Sequence, residues 1–413
     1  MPERWRREGY SIAAMRRLAR AVLPRAVFDF ADGGAEDERT LRRNEAAFGD
    51  FALLPRPLNG AGSRDLSLEL FGHRLALPVL LGPTGLAGLF WPDAERAAAR
   101  AAAAAGTAYC LSHGSVCTLE QLAETAATPR WMQVFIYTDR GFTRELAERA
   151  QAAGYDALVL TIDNQVPGNR ERDLRNGFSI PPCFGPRDVG AMALRLRWLV
   201  RMRRELPRIT FGNYVRDGEA SDLRTLAARM AGLLDPAMRW TDVEMLRRLW
   251  RGPLLLKGVL HPAEALEAVA RGIDGLIVSN HGGRQLDGTV SSIEALPGVL
   301  DAVAGRIPVL IDGGVRRGAD VVAALALGAH ACLIGRPALW GVAVAGEAGV
   351  AHVLEIYRRE IDRTMGLLGA RRLCDLSHDL LCRPCCAAPF CAASREEHPH
   401  ARFPGHRQPC PSL

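Results

Sequence analysis

The string Ser279-Asn-His281-Gly-Gly-Arg284-Gln-Leu-Asp-Gly288 puts a histidine and an arginine three residues apart on a glycine-flanked segment. An imidazole titrates near neutrality and a guanidinium fork pairs bidentately with a carboxylate, so the two suit a base and an anion clamp around one small acid. A lone histidine on such a loop is ordinarily a solvated surface residue; it is the whole polar string that points to chemistry. A second cluster reads Asp312-Gly313-Gly314-Val-Arg316-Arg-Gly318, followed by Gly335-Arg336-Pro337. Glycines let backbone N–H groups approach a phosphate, a following helix N-terminus adds a favourable dipole and arginine adds charge, so a phosphorylated ligand is expected. Lys257 ends the apolar run Leu254-Leu-Leu, where an ammonium needs either a partner or a path to solvent.

These groups fall at the C-terminal ends of short apolar runs. Eight such runs read as strands: Leu75–Pro83, Thr107–Ser112, Trp131–Tyr137, Ala157–Asp163, Leu254–Val259, Gly275–Asn280, Ile307–Gly313 and Ala331–Gly335. Between most of them lie Ala/Leu/Arg/Glu stretches of helical period. This alternation predicts an α/β fold, a (β/α)8 TIM barrel, whose C-terminal strand ends carry active sites. The spacing is broken once, by an insertion at 164–251 that contains the basic amphipathic stretch Ala191–Arg204. Residues 1–74 are expected to form an N-terminal helical segment packed on the barrel, with Ile12–Phe48 helical in two pieces broken at Gly33-Gly34. The barrel is expected over 75–377, with Val350–Leu368 as closing helix. From His378 to Leu413 periodicity is lost and Cys, Pro and His gather, which predicts a mobile tail. Cys382, Cys385, Cys386 and Cys391 do not have the paired spacing of a closed zinc site, so no metal is expected.

At 413 residues, 48% hydrophobic and 24% charged, the chain can bury a sizeable core. Its net charge of +6 is too modest to imply nucleic-acid binding. The ten cysteines do not form a secreted disulfide framework, and Met1–Arg20 lacks the apolar stretch of a secretory signal. A cytoplasmic protein is expected, able to touch the inner face of a membrane.

The segment 279–288 resembles the active-site signature of the FMN-dependent 2-hydroxy acid oxidase and dehydrogenase family, and the likeness extends over residues 10–380, including Asp32-Gly-Gly-Ala-Glu-Asp-Glu38. The resemblance implies bound FMN and oxidation of a 2-hydroxy acid to the 2-keto acid. It makes His281 the base, Asp163 the carboxylate that orients it, and Arg284 and Arg170 the substrate clamps. Lys257 would stand beside the flavin N1 and O2. Asp312 and Arg316, with Gly313 and Gly314, would hold the ribityl and phosphate, and Gly335 and Arg336 would close the site. Pro83, Thr84, Gly85, Ser112, Gln133, Thr161 and Ser279 fall at flavin-contacting positions. The family also implies a homo-oligomer, a tetramer.

Two departures stand out. Phe30 and Phe135 occupy places where the family carries substrate-binding tyrosines, and each lost hydrogen bond to a charged group costs about 1.5–3 kcal/mol. Gly114 replaces a bulky aromatic of the glycolate-type enzymes, which implies room for a larger, aromatic side chain and makes the mandelate dehydrogenase branch the nearer likeness. Gly85 also resembles the dehydrogenases, where oxidases more often have alanine. The basic stretch 187–208 lies where membrane-associated members carry their membrane segment; such a helix suits an anionic surface, or packing on the barrel's own loops or a neighbouring subunit. Electrons are expected to pass to a quinone or another acceptor rather than to oxygen. The phenylalanines leave open an amine or another 2-substituted acid as substrate, or a weakly catalytic FMN-binding protein.

Overall fold

The computed structural model describes residues 4–125, 128–177, 195–215 and 233–382. Eight parallel strands close into a barrel: β1 (Val79–Leu81), β2 (Tyr109–Leu111), β3 (Arg130–Val134), β4 (Ala157–Thr161), β5 (Leu254–Val259), β6 (Gly275–Val278), β7 (Val309–Asp312) and β8 (Ala331–Ile334). Each pairs with its neighbours in sequence, and β8 returns to β1 through Ile334 opposite Leu81. The fold is the (β/α)8 barrel expected.

Alternation along the strands sorts side chains into two cores. One face packs on the surrounding helices. The other fills the interior with one apolar residue or more per strand, among them Cys110, Trp131, Val159, Leu255, Ile277 and Leu310. Two residues beyond each of these six, on the same inward face, stand Ser112, Gln133, Thr161, Lys257, Ser279 and Asp312. The period of two thus converts six strands into a polar ring at the C-terminal mouth. At the opposite end the hairpin Leu68–Leu70/His73–Leu75 closes the barrel, with Phe71 edge-on to Trp131.

Several expected boundaries move. Leu75 belongs to that hairpin and not to the first barrel strand, so the division at 74/75 cuts a paired element. The N-terminal helices number three within 12–46, because Pro24 also separates Ile12–Val22 from Arg25–Asp32: it has no N–H to continue the first helix and its ring starts the second. The closing helix begins at Arg336, with a break at Ala345–Gly346, and packs against Ala94–Ala105 and Ile12–Val22. It is long and apolar enough to cross a membrane, but most of that apolar stretch is buried in the protein. His378–Leu380 forms a turn, and Leu381–Cys382 pairs antiparallel with Ala52–Leu53, so the tail is ordered at its start. Cys385, Cys386 and Cys391 lie outside the described residues, as do 187–194 of the basic insertion.

Candidate active site

A cavity of about 260 Å³ opens at the polar mouth. Of the residues singled out from sequence, only Asp163 and Ser279 do not line it, and both stand directly behind groups that do. A larger open groove of about 540 Å³ lies elsewhere, between the N-terminal helices and the start of the insertion; it is lined by Arg16, Arg20, Arg172 and Arg195 among others and receives none of the strand-end groups.

His281 follows β6 with a left-handed backbone, φ +57, which turns its ring back over the mouth. Reciprocal amide hydrogen bonds between Asn280 and Asn44 of the Arg39–Ala46 helix, 2.7 and 2.8 Å, fasten this loop. Nδ1 of His281 lies 3.0 Å from Asp163 Oδ1, beyond the end of β4. Gly258, at φ +106, makes that approach possible, since a Cβ there would stand 2.8 Å from the Asp163 side chain. Burial pushes the imidazole below its ordinary value against the opposing pull of Asp163, so it rests neutral. Burial pushes Asp163 up, but the charge and hydrogen bond of His281 and the charge of Lys257 outweigh it and hold the carboxyl down. With Nδ1 donating to Asp163, Nε2 carries the lone pair of a base.

Lys257 is buried with Nζ 3.0 Å from Asp312 Oδ2 and 2.9 Å from Ser279 Oγ. Burial alone would lower its pKa; Asp312 and Asp163 more than reverse this and keep it charged. Arg284 donates to the carbonyls of Phe30 and Gly33, and Arg336 to those of Ala31 and Gly33. Two barrel arginines therefore hold the C-terminal end of the Arg25–Asp32 helix, where carbonyls are unpaired and the dipole favours cations, and so bring Phe30 to the mouth. Burial lowers the pKa of Arg170 and Arg284, and of Arg336 to about 10. Among the described residues none of these three guanidiniums makes a salt bridge, although Asp173 and Asp32 lie close enough to act on them, and such a crowding of cations marks a place for an anionic ligand.

The residues fit FMN. Buried polar atoms without a hydrogen-bond partner among the described residues include Thr161 Oγ1, Asp312 Oδ1, Arg316 Nε and Arg170 Nε, all on residues lining this one cavity. They are the donors and acceptors that a hydroxylated, phosphorylated ligand would satisfy. Gly313 and Gly314 turn at φ +91 and +84, and a Cβ on Gly314 would lie 1.9 Å from the Asn44 carbonyl oxygen, so the phosphate-side loop admits only glycine there. Arg316 also pairs with Glu45 at 3.0 Å.

Phe30, Phe135 and Gly114 line the same cavity. So do His113, Asn164 and Phe211, which the sequence reading passed over. His113 was visible as the residue after Ser112 at a strand end; Phe211 was not, because it comes from the insertion and reaches the mouth only through folding. The described part of the basic stretch, 195–208, contains the short helix Leu196–Met202 and a 3-10 turn at Leu206–Arg208. Its Trp198 donates to the Leu89 carbonyl at 3.2 Å and Arg201 lies 3.7 Å over the Trp91 ring, while Leu196 and Val200 face solvent.

Comparison with known proteins agrees with this geometry. A family model described as FMN-dependent dehydrogenase matches residues 19–383. An L-lactate dehydrogenase of Caulobacter vibrioides (strain NA1000 / CB15N) is 45% identical over 372 residues, 90% of this chain and 97% of the relative. One of Yersinia pestis (strain Pestoides F) is 42% identical, covering 89% and 96%. Among solved structures, the monotopic membrane protein (S)-mandelate dehydrogenase superposes with a TM-score of 0.87 at 39% identity, covering 91% of this chain and 99% of that one. A mandelate oxidase variant gives 0.76 at 36%, covering 90% and 97%.

Proposed function

The chain belongs to the FMN-dependent dehydrogenase family and binds FMN, and from that premise we propose that it oxidises a 2-hydroxy acid with a bulky, aromatic side chain to the 2-keto acid. The observation that carries this reading is the neutral His281, backed by Asp163 at 3.0 Å, facing a cavity that is also lined by the half-buried Arg170 and Arg284.

Arg170 and Arg284 bind the substrate carboxylate, each as a planar fork. His281 Nε2 takes a proton from the 2-hydroxy acid, and Asp163 stabilises the imidazolium that results. Bound FMN supplies the two-electron acceptor. Lys257, Thr161, Gln133, Ser112, Ser279 and the Pro83-Thr84-Gly85 segment would hold its ring, and Asp312, Gly313, Gly314, Arg316, Gly335 and Arg336 its ribityl phosphate. Gly114 supports the bulky side chain, because a Cβ there would already stand 3.7 Å from Phe211 and a full aromatic would fill that space.

The electrons pass on to a quinone or a similar acceptor, and the protein works as a homo-oligomer, a tetramer, at the cytoplasmic face of a membrane. In support, the helix Leu196–Met202 is anchored through Trp198 while Leu196, Val200, Arg197, Arg203 and Arg204 point outward. The test is the absorption spectrum of the purified protein during anaerobic addition of a panel of 2-hydroxy acids. Yellow protein bleached by an aromatic member is expected, with bleaching lost and flavin retained in His281→Ala. Colourless protein, or bleaching that survives the substitution, defeats the reading.

A further inference from the structure

The chamber beside His281 contains a second histidine that the reaction as described leaves idle. His113 lies directly after Ser112 at the end of β2, lines the same cavity, and packs edge-on against Phe135 with ring centroids 4.4 Å apart. Phe135 is one of the two positions that lack the expected tyrosine hydroxyl. Nδ1 of His113 meets two phenols, Tyr137 OH at 3.0 Å and Tyr214 OH, and these two hydroxyls are 2.7 Å from each other. Both tyrosines are buried. Among the described residues no protein group hydrogen-bonds the other ring nitrogen, Nε2.

This triangle selects the tautomer. If Nδ1 is bare, one phenol donates to it and the second phenol donates to the first, so both buried phenol protons have acceptors and the ring proton is on Nε2 of a residue that lines the cavity. If Nδ1 carried the proton, it would donate to one phenol, that phenol to the other, and the last phenol proton would be buried with nothing to receive it. The proton therefore sits on Nε2. Burial, and then the neighbouring His281, push the imidazole down to about 3, so it stays a neutral donor throughout the working pH range.

We infer that His113 is a specificity-determining residue of this enzyme, whose Nε2–H donates to an oxygen on C1 or C2 of the 2-hydroxy acid and supplies a hydrogen bond that Phe30 and Phe135 cannot. The assignment rests on the proposed oxidation of such an acid at His281. Tyr137 and Tyr214 are positioning residues, since they hold the ring and its tautomer without lining the cavity. The donor that the fold provides thus comes from β2 and the insertion rather than from the two phenylalanine positions.

The experiment titrates the oxidised, FMN-loaded protein with phenylglyoxylate, which has a C2 oxygen, and with phenylacetate, which lacks one, following the flavin absorbance. His113→Phe keeps a ring against Phe135 and removes both nitrogens; it is expected to weaken phenylglyoxylate binding by about tenfold or more. His113→Gln, which retains a donor, recovers most of that affinity, and Tyr214→Phe weakens binding in the same direction by less. His113→Leu gives the same readout if the Phe variant does not accumulate. Loss with both ligands assigns the bond to the carboxylate, and loss with phenylglyoxylate alone assigns it to the C2 oxygen; either supports the inference. Unchanged affinity for both ligands in the Phe or Leu variant overturns it. Wild-type protein that is yellow but neither binds phenylglyoxylate nor bleaches with a 2-hydroxy acid overturns the underlying reading instead.

Discussion

His281 Nδ1 and Asp163 Oδ1 stand 3.0 Å apart at the barrel mouth, although 118 residues separate them in the chain. The neutral imidazole is the competent base, and burial holds its pKa below the ordinary 6.5 while Asp163 pulls it upward. Substrate-dependent flavin reduction should therefore fade as pH falls through a value below 6.5. Asp163→Asn removes the upward pull, so the acid limb should move to still lower pH while the rate drops by about 10²-fold or more, because the imidazolium loses its counter-charge. A pH profile of kcat/KM for both proteins checks this; an acid limb displaced upward in the variant would contradict the pairing.

The two arginines should separate into different phenotypes. Arg170 makes no side-chain hydrogen bond among the described residues, whereas Arg284 also holds the Phe30 and Gly33 carbonyls. Arg170→Met should raise the Kd of a 2-keto acid by about 10- to 150-fold, the equivalent of 1.5–3 kcal/mol, with little change in melting temperature. Arg284→Met should weaken binding similarly and lower the melting temperature as well.

Gly314 tests the phosphate-side loop. An alanine Cβ at φ +84 would meet the Asn44 carbonyl at 1.9 Å, so Gly314→Ala should cost about 1–3 kcal/mol or more in strain and reduce the flavin retained on purification. Gly62→Ala, where a Cβ meets nothing within 4 Å, is the matched control and should behave as wild type. Flavin-to-protein absorbance ratios and thermal melts read both.

Gly85 tests the choice of electron acceptor. A Cβ there would lie 3.4 Å from the Gly114 carbonyl oxygen and 3.8 Å from Ser112 Oγ, ordinary contact distances, so Gly85→Ala should fold and keep its flavin. The wild type should form little peroxide during turnover without an added acceptor, and the alanine variant more. Stoichiometric peroxide from the wild type would refute delivery to a quinone.

What the sequence determined by itself is whatever depends on short spacing. Cys110 and Ser112, Leu255 and Lys257, and Leu310 and Asp312 each pair an interior apolar residue with a polar residue at the mouth, because a strand turns every second side chain to the same face. The eight strands, the His281 string and the glycine cradle were legible for that reason. Boundaries set by longer contacts were not: Leu75 follows its hairpin partner Leu68, and Leu381–Cys382 follows Ala52–Leu53, more than 300 residues away.

Tertiary structure alone decided which of these groups meet. Strand alternation says that His113 and Phe135 reach the mouth region, but not that Tyr137 and an insertion residue, Tyr214, converge on one imidazole nitrogen and leave the other as the donor. Nor does any local pattern show Arg284 and Arg336 closing on the carbonyl end of a helix some 250 to 300 residues earlier. Such contacts depend on barrel closure and on where the insertion folds back, and both are properties of the assembled chain rather than of any segment.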